Sequence, residues 1–324
     1  MLLGATGTIG RAVAQALVRR GHAVTAPVRS LAGGAGAGLL ALSNSATSPI
    51  EVREAQVTDA ASLERDGFRG ERFDALVSCL ASRTGAPQDA WAIDHRAHLQ
   101  ALAVARRHGV GQMVLLSAIC VQKPRLEFQR AKLAFETALI DSGMPYSIVR
   151  PTAFFKSLSG QFERVRRGKS YLLFGNGALT RCKPISDRDL GDYIADCLED
   201  PARINKVLPI GGPGPAISPI EQGRKLFEIL GREPKFSRVP VGMLDTVIAA
   251  LSLAGRLSRA AADKAELARI GRYYATESML LLDPATGQYN EDLTPSTGAE
   301  TLFDYFAELA LGGAPPDRGD HAVF

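Results

Sequence analysis

Seven residues near the start of the chain, Gly4-Ala5-Thr6-Gly7-Thr8-Ile9-Gly10, have the composition and spacing to hold a phosphate. One glycine permits a tight turn, one lets the backbone approach a pyrophosphate, and one lets the following helix pack close to a sheet. The N-terminus of that helix adds unpaired N–H groups and the positive end of a dipole. Gly4, Thr6, Gly7, Thr8, Ile9 and Gly10 are therefore candidate dinucleotide-binding residues. Arg29 and Ser30 stand about 20 residues further on, where such a fold meets the adenosine ribose. A carboxylate there would accept a 2′-hydroxyl, whereas a guanidinium pairs a 2′-phosphate bidentately. Arg29 thus points to NADP(H) over NAD(H), a solvated surface arginine being the alternative.

The Gly-x-x-Gly-x-x-Gly spacing resembles that of the extended and atypical short-chain dehydrogenase/reductases. Those families carry Tyr-x-x-x-Lys on the helix after the fifth strand. Here the window reads Phe128-Gln129-Arg130-Ala131-Lys132. A spacing of four sets Phe128 and Lys132 on one helix face. The resemblance implies that Lys132 is the catalytic lysine that holds the nicotinamide ribose, and that the tyrosine protonating a developing alkoxide is missing. Carbonyl reduction places charge on one oxygen and needs an acid beside it. Reduction of a conjugated C=C bond spreads the charge over a π-system, and a proton can arrive later from water or another donor. Phe128 therefore argues against an ordinary alcohol dehydrogenase and is compatible with an alkene reductase or with an inactive protein.

These residues need particular elements to position them. Met1-Leu2-Leu3 before the turn is a short strand, and residues 11–20 after it form an amphipathic helix with Val13, Ala14, Leu17 and Val18 on one face. Three residues are few for a central strand, so the native start is expected upstream. Strands are expected at 22–28, at 50–57 and, apolar throughout and buried on both faces, at 73–80. Asp59, after the second of these, is a candidate partner of the adenine amino group or a helix N-cap. Ala81 and Ser82, at the end of the strand at 73–80, would lie over the pyrophosphate, and Leu80 is a further candidate cofactor contact. A helix at 91–108, a strand at 113–117, a helix at 128–142 and a strand at 146–149 follow. Ser117, Pro151, Thr152 and Phe154, at or just beyond the later strand ends, complete the candidate cofactor set. The alternation predicts an α/β fold, a doubly wound parallel sheet of the Rossmann type, over residues 1–153. Residues 154–311, richer in glycine and proline, are expected to form a smaller substrate-binding region interleaved with the last Rossmann elements, including a strand at 204–210. A loop with a short helix is expected at 32–48 and a disordered tail at 312–324.

Bulk properties bound the rest. A formal charge of +4 over 324 residues implies no nucleic-acid partner. Cys79, Cys120, Cys182 and Cys197 are far apart and form no C-x-x-C, as expected of reduced thiols in a cytoplasmic protein without a metal site. No apolar run reaches the roughly 18 residues of a membrane span. The nearest, 243–257, contains Asp245 and Arg256 and is expected to be a buried helix, with loose membrane contact as the alternative.

Longer runs narrow the chemistry. Leu115-Leu116-Ser117-Ala118-Ile119-Cys120-Val121-Gln122-Lys123-Pro124, Ser147-Ile148-Val149-Arg150-Pro151-Thr152-Ala153-Phe154-Phe155-Lys156-Ser157 and Tyr273-Tyr274-Ala275-Thr276-Glu277-Ser278-Met279 accompany the glycine turn, Phe128 and Lys132. Together they resemble the NADPH-dependent divinyl chlorophyllide a 8-vinyl-reductase family, an isoflavone-reductase-like branch of the atypical short-chain reductases. The resemblance covers nearly the whole chain. It implies reduction of the C8 vinyl group of a tetrapyrrole to ethyl in (bacterio)chlorophyll synthesis, with NADPH as cofactor. The substrate would be a magnesium chlorin bearing a carboxylate, and the location cytoplasmic, peripheral to photosynthetic membranes. Phe128, Phe155 and Lys156 are then candidate substrate contacts, with Phe154 and Phe162 as further walls. The cluster Arg164, Arg166, Arg167, Lys169 is a second candidate for the carboxylate. Tyr146, Tyr171, Tyr193 and solvent stay open as proton donors. Two rival readings are a non-catalytic NADP(H) sensor and a reductase of another conjugated alkene.

Overall fold

The computed structural model describes residues 1–32, 36, 38, 39 and 50–313. The loop expected at 32–48 and the tail expected from 312 lie, but for a few positions, outside these residues.

The central sheet is parallel and five-stranded, in the order β1-β4-β5-β6-β8. Its strands are β1 (Leu2–Leu3), β4 (Ala75–Ser78), β5 (Gln112–Leu116), β6 (Tyr146–Pro151) and β8 (Lys206–Ile210). A second parallel pair, β2 (Val24–Val28) and β3 (Ile50–Glu54), packs beside β1 and extends the layer on that side. The two-residue β1 is in register with β4 through Leu2↔Val77 and Leu3↔Ser78. The strand order reverses at β1, and a doubly wound sheet opens its ligand crevice at that switch point, beyond the strands' carboxyl ends.

Helices cover both faces because strands buried on both sides must hide apolar side chains from water on each. On one face the first helix, Thr8–Arg19, packs against helix Asp187–Glu199 over Val13, Ala14, Leu17, Leu190 and Ile194. On the other, helices His98–Arg107 and Glu127–Asp141 bury Leu102, Phe135 and Leu139 with Leu76, Met113 and Ile148. The stretch expected as plain α-helix at 91–108 begins with a π-helical segment, Trp91–Ala97, and another π-helical segment lies at Leu63–Phe68. The former follows α-helical Pro87–Ala90 and runs into His98–Arg107.

β8 joins β6, so the later part of the chain returns to the central sheet. A third core gathers Ile119, Phe155, Phe162, Tyr171, Phe227, Ile270 and Phe306 away from the sheet. It includes a parallel pair that sequence patterning did not suggest, β7 (Tyr171–Phe174) with β9 (Phe236–Val239). Helix Val241–Gly255 departs from the buried helix expected there: none of its residues is buried. It leans on helix Arg259–Thr276, which packs inward through Ile270 and Tyr273. No helix among the described residues is long and apolar enough to cross a membrane.

Candidate active site

β1 delivers the chain to Gly4 at φ +75°, a conformation that side chains oppose. A Cβ on Gly4 would lie 2.7 Å from the Cys79 carbonyl carbon, so the turn rests against the end of β4. A Cβ on Gly10 would lie 2.1 Å from Gly4 O, so the helix sits directly on the turn. Gly7, exposed, is the N-cap and donates its N–H to Gly4 O at 3.1 Å. No side chain caps this helix and its first turn has no acidic residue. Its leading N–H groups and dipole are therefore left for an anion, and the cradle fits a pyrophosphate.

Lys156 lies at this turn, its Nζ donating to Thr8 Oγ1 at 2.9 Å. Lys156, a candidate for a substrate carboxylate, thus sets its cation at the N-terminus of the first helix. Beside it, burial pushes the Asp187 carboxyl up to about 6, against the pull of Lys156. Asp187 Oδ1 is buried without a hydrogen-bond partner.

At the ribose end, Arg29 and Ser30 are exposed immediately beyond β2, and the Arg29 carbonyl accepts Gln56 Nε2 at 3.3 Å. Sequence reading assigned no role to Arg11. Its guanidinium would be 3.6 Å from a Cβ on Gly38, so a second cation faces the segment that follows β2. The signal was present in an arginine directly after the third glycine. Asp59 is exposed and caps helix Ala60–Ser62, accepting Ala61 N at 3.0 Å; the capping alternative is realised. Leu80 and Ala81 follow β4 beside the turn, as the Gly4 contacts with Cys79 and Leu80 require.

Lys132 sits on helix Glu127–Asp141, one turn beyond the half-buried Phe128. Its side chain is 12% exposed and its Nζ is 2.9 Å from Oδ1 of the fully buried Asp94. Phe128 borders the loop at Gly85, where a built Cβ would be 3.8 Å from its ring. The Ser117 hydroxyl donates inward to Glu136, which also holds Arg150 through Nε at 3.2 Å. The Thr152 hydroxyl donates to the Lys183 carbonyl, and Pro151 beside it is buried. These side chains brace the strand ends. Phe154 is half-buried and bridges to Ile185.

Phe155 and Phe162, 4% and 2% exposed, are core residues, their rings tilted against Tyr305 and Phe306. Arg166 and Arg167 pair with Glu163, and Arg164 Nε donates to the Ser170 carbonyl at 2.7 Å. Tyr171 is buried against Phe236, and burial raises its hydroxyl above the usual range. The Tyr193 ring lies 4.2 Å from the Arg203 guanidinium. Tyr146 begins β6 at the opposite end of the sheet from the strand termini that carry the site. Burial raises the Cys79 thiol to about 12, and no group of metal-ligating side chains occurs among the described residues.

Residues 4–201 match the NAD(P)H-binding family model. The chain is 50% identical to the chloroplastic divinyl chlorophyllide a 8-vinyl-reductase of Zea mays, over 100% of this chain and 82% of that one. It is 49% identical to the enzyme of the same name from Arabidopsis thaliana, over 97% and 77%. Among solved structures, the leucoanthocyanidin reductase–NADPH complex of Vitis vinifera superposes with a TM-score of 0.69 at 14% identity, over 96% of this chain and 98% of that one. That likeness is one of fold. With whole-length identity near one half and a glycine cradle built for a dinucleotide, the chain belongs to the divinyl chlorophyllide a 8-vinyl-reductase family of NAD(P)H-binding proteins.

Proposed function

We propose that this protein is an NADPH-dependent oxidoreductase that reduces the C8 vinyl group of divinyl chlorophyllide to ethyl. The observation that carries the reading is Phe128 in place of an acid, one turn before a retained and ion-paired Lys132, in a chain about half identical to enzymes of that name. The residues fit the cofactor. The Gly4–Gly10 turn with Lys156 meets the pyrophosphate, Arg29 and Arg11 the 2′-phosphate, and Lys132 the nicotinamide ribose. NADPH, when bound, supplies a hydride to the terminal carbon of the vinyl group. The charge that develops would spread into the macrocycle and be quenched by a proton from water or another donor to complete the ethyl group, so the chain need not place an acid at a single atom. Its tasks are to orient a flat apolar ring against the nicotinamide and to keep water from the hydride. Half-burial of Phe128 and Phe154 supports their lining that face.

Incubation with 3,8-divinyl chlorophyllide and NADPH is expected to shift the Soret band to the blue as the vinyl group is lost, and NADH is expected to support far slower turnover. No shift with either cofactor sinks the assignment. Equal rates with NADH sink the role of Arg29 and Arg11.

Loose contact with a pigment-bearing membrane is a second element of the proposal. It is supported by helix Val241–Gly255, which is apolar and has no buried residue, and by Leu253 and Leu257, 65% and 96% exposed at its end.

A further inference from the structure

The π-helical stretch Trp91–Ala97 carries a buried cluster that the reaction, as described so far, does not use. Asp94 is 0% exposed at its side chain and pairs with Lys132. The same oxygen, Oδ1, accepts the backbone N–H of Ser82 at 3.3 Å, in the loop that follows β4. Its other oxygen, Oδ2, is buried without a hydrogen-bond partner. One turn on, His98 Nε2 lies 2.9 Å from Ser78 Oγ at the end of β4, and His98 Nδ1 lies 2.8 Å from the Ile93 carbonyl. Burial lowers the His98 pKa to about 4, with Lys132 acting in the same direction, so this imidazole is neutral at ordinary pH and adds no cation beside the lysine.

A half-satisfied carboxylate in the interior is an expensive way to brace two helices. Well-packed apolar side chains would brace them at least as well. The arrangement does two things that apolar packing would not. It holds the Lys132 ammonium at one point, and it ties that point to Ser82, next to Leu80 and Ala81 in the loop after β4. π-Helical segments recur at functional sites because the extra residue per turn re-aims side chains that α-geometry would send elsewhere.

We propose that Asp94, aimed by the π-helical stretch, is the positioning residue that fixes Lys132 at the nicotinamide end of the crevice and couples it to the loop after β4. Asp94 acts through Lys132 and does not itself touch the cofactor, since both its oxygens are buried behind the lysine. The inference rests on the reading that Lys132 meets the nicotinamide ribose.

The test is NADPH affinity, followed by nicotinamide fluorescence on the intact protein without pigment. Four forms are compared: wild type, Asp94→Asn, Lys132→Met and the double variant. Asp94→Asn is expected to weaken NADPH binding about tenfold or more, the scale of a lost charge-assisted hydrogen bond. In the Lys132→Met background the same change is expected to weaken it no further, because nothing is left to position. A purely structural aspartate would give additive losses, and additive losses, or wild-type affinity in Asp94→Asn, overturn the proposal. Wild-type affinity in Lys132→Met would overturn the underlying reading instead, and a wrong pigment would leave the titration unchanged. If Asp94→Asn does not fold, Asp94→Glu keeps the charge but displaces it. The same loss is expected there, and wild-type affinity in that variant overturns the proposal.

Discussion

Lys132 and Phe128 share one helix face, yet the fold treats them differently. The lysine is drawn into a buried ion pair at 2.9 Å, while the phenylalanine is left half-buried against the Gly85 loop. That contrast is compatible with the proposed alkene reduction, in which Lys132 would meet the cofactor and the missing acid would not be needed at a single atom. Lys132→Ala is expected to lower turnover about 100-fold, the scale of removing one preorganised electrostatic contact. Phe128→Tyr restores the family tyrosine and is expected to bring no gain. Single-turnover absorbance measurements check both, and a faster Phe128→Tyr enzyme would show that an acid at this position is limiting. The Tyr-to-Phe replacement was legible in the sequence because it needs only a four-residue window. Asp94 was not, because its partner lies 38 positions away and only packing brings the two together.

The element that matters most is the junction of β1, the glycine turn and the first helix. Its glycines have separable duties that an alanine scan would resolve. Gly10→Ala places a methyl 2.1 Å from Gly4 O and must displace the helix, so both NADPH binding and thermal stability are expected to fall. Gly7→Ala meets nothing closer than 3.4 Å at an exposed position, so the melting temperature is expected to hold while NADPH affinity drops. A Gly10→Ala protein with native affinity would mean that the close packing of helix on turn is not needed for the cradle. Strand positions were readable because buried parallel strands are apolar runs, but several ends were misplaced, some too long and that of β6 too short. Residues 50–57, for example, form a ladder only over Ile50–Glu54, where β2 supplies a partner.

At the scale of the molecule, apolar surface that the sequence suggested was core is instead displayed. Val241–Gly255 leans on Arg259–Thr276 through contacts that include Arg272 with Asp245 and Arg269 with Ser252, and leaves Met243, Val247, Leu253 and Leu257 exposed. Arg256 and Arg259, both exposed, flank Leu257. An apolar tip between cations suits an anionic lipid surface. Wild type is expected to sediment with vesicles containing anionic lipid. Leu253→Glu/Leu257→Glu is expected not to, while keeping NADPH-dependent turnover of detergent-solubilised pigment. Equal sedimentation of the two would remove the membrane reading.

By itself the sequence determined the local matters: the glycine cradle, the arginine after β2, the alternation that makes a parallel sheet, and the lysine without its tyrosine. Each depends on neighbours within a turn or a strand, where backbone geometry and side-chain period act directly on residue type. The tertiary structure decided what distant segments share. It brought Lys156 to Thr8 across 148 positions and Asp94 to Lys132. It buried Phe155 in a core of its own and left an apolar helix outside. No period or motif encodes these outcomes, because burial and ion pairing depend on which surfaces remain uncovered once the sheet has closed its faces.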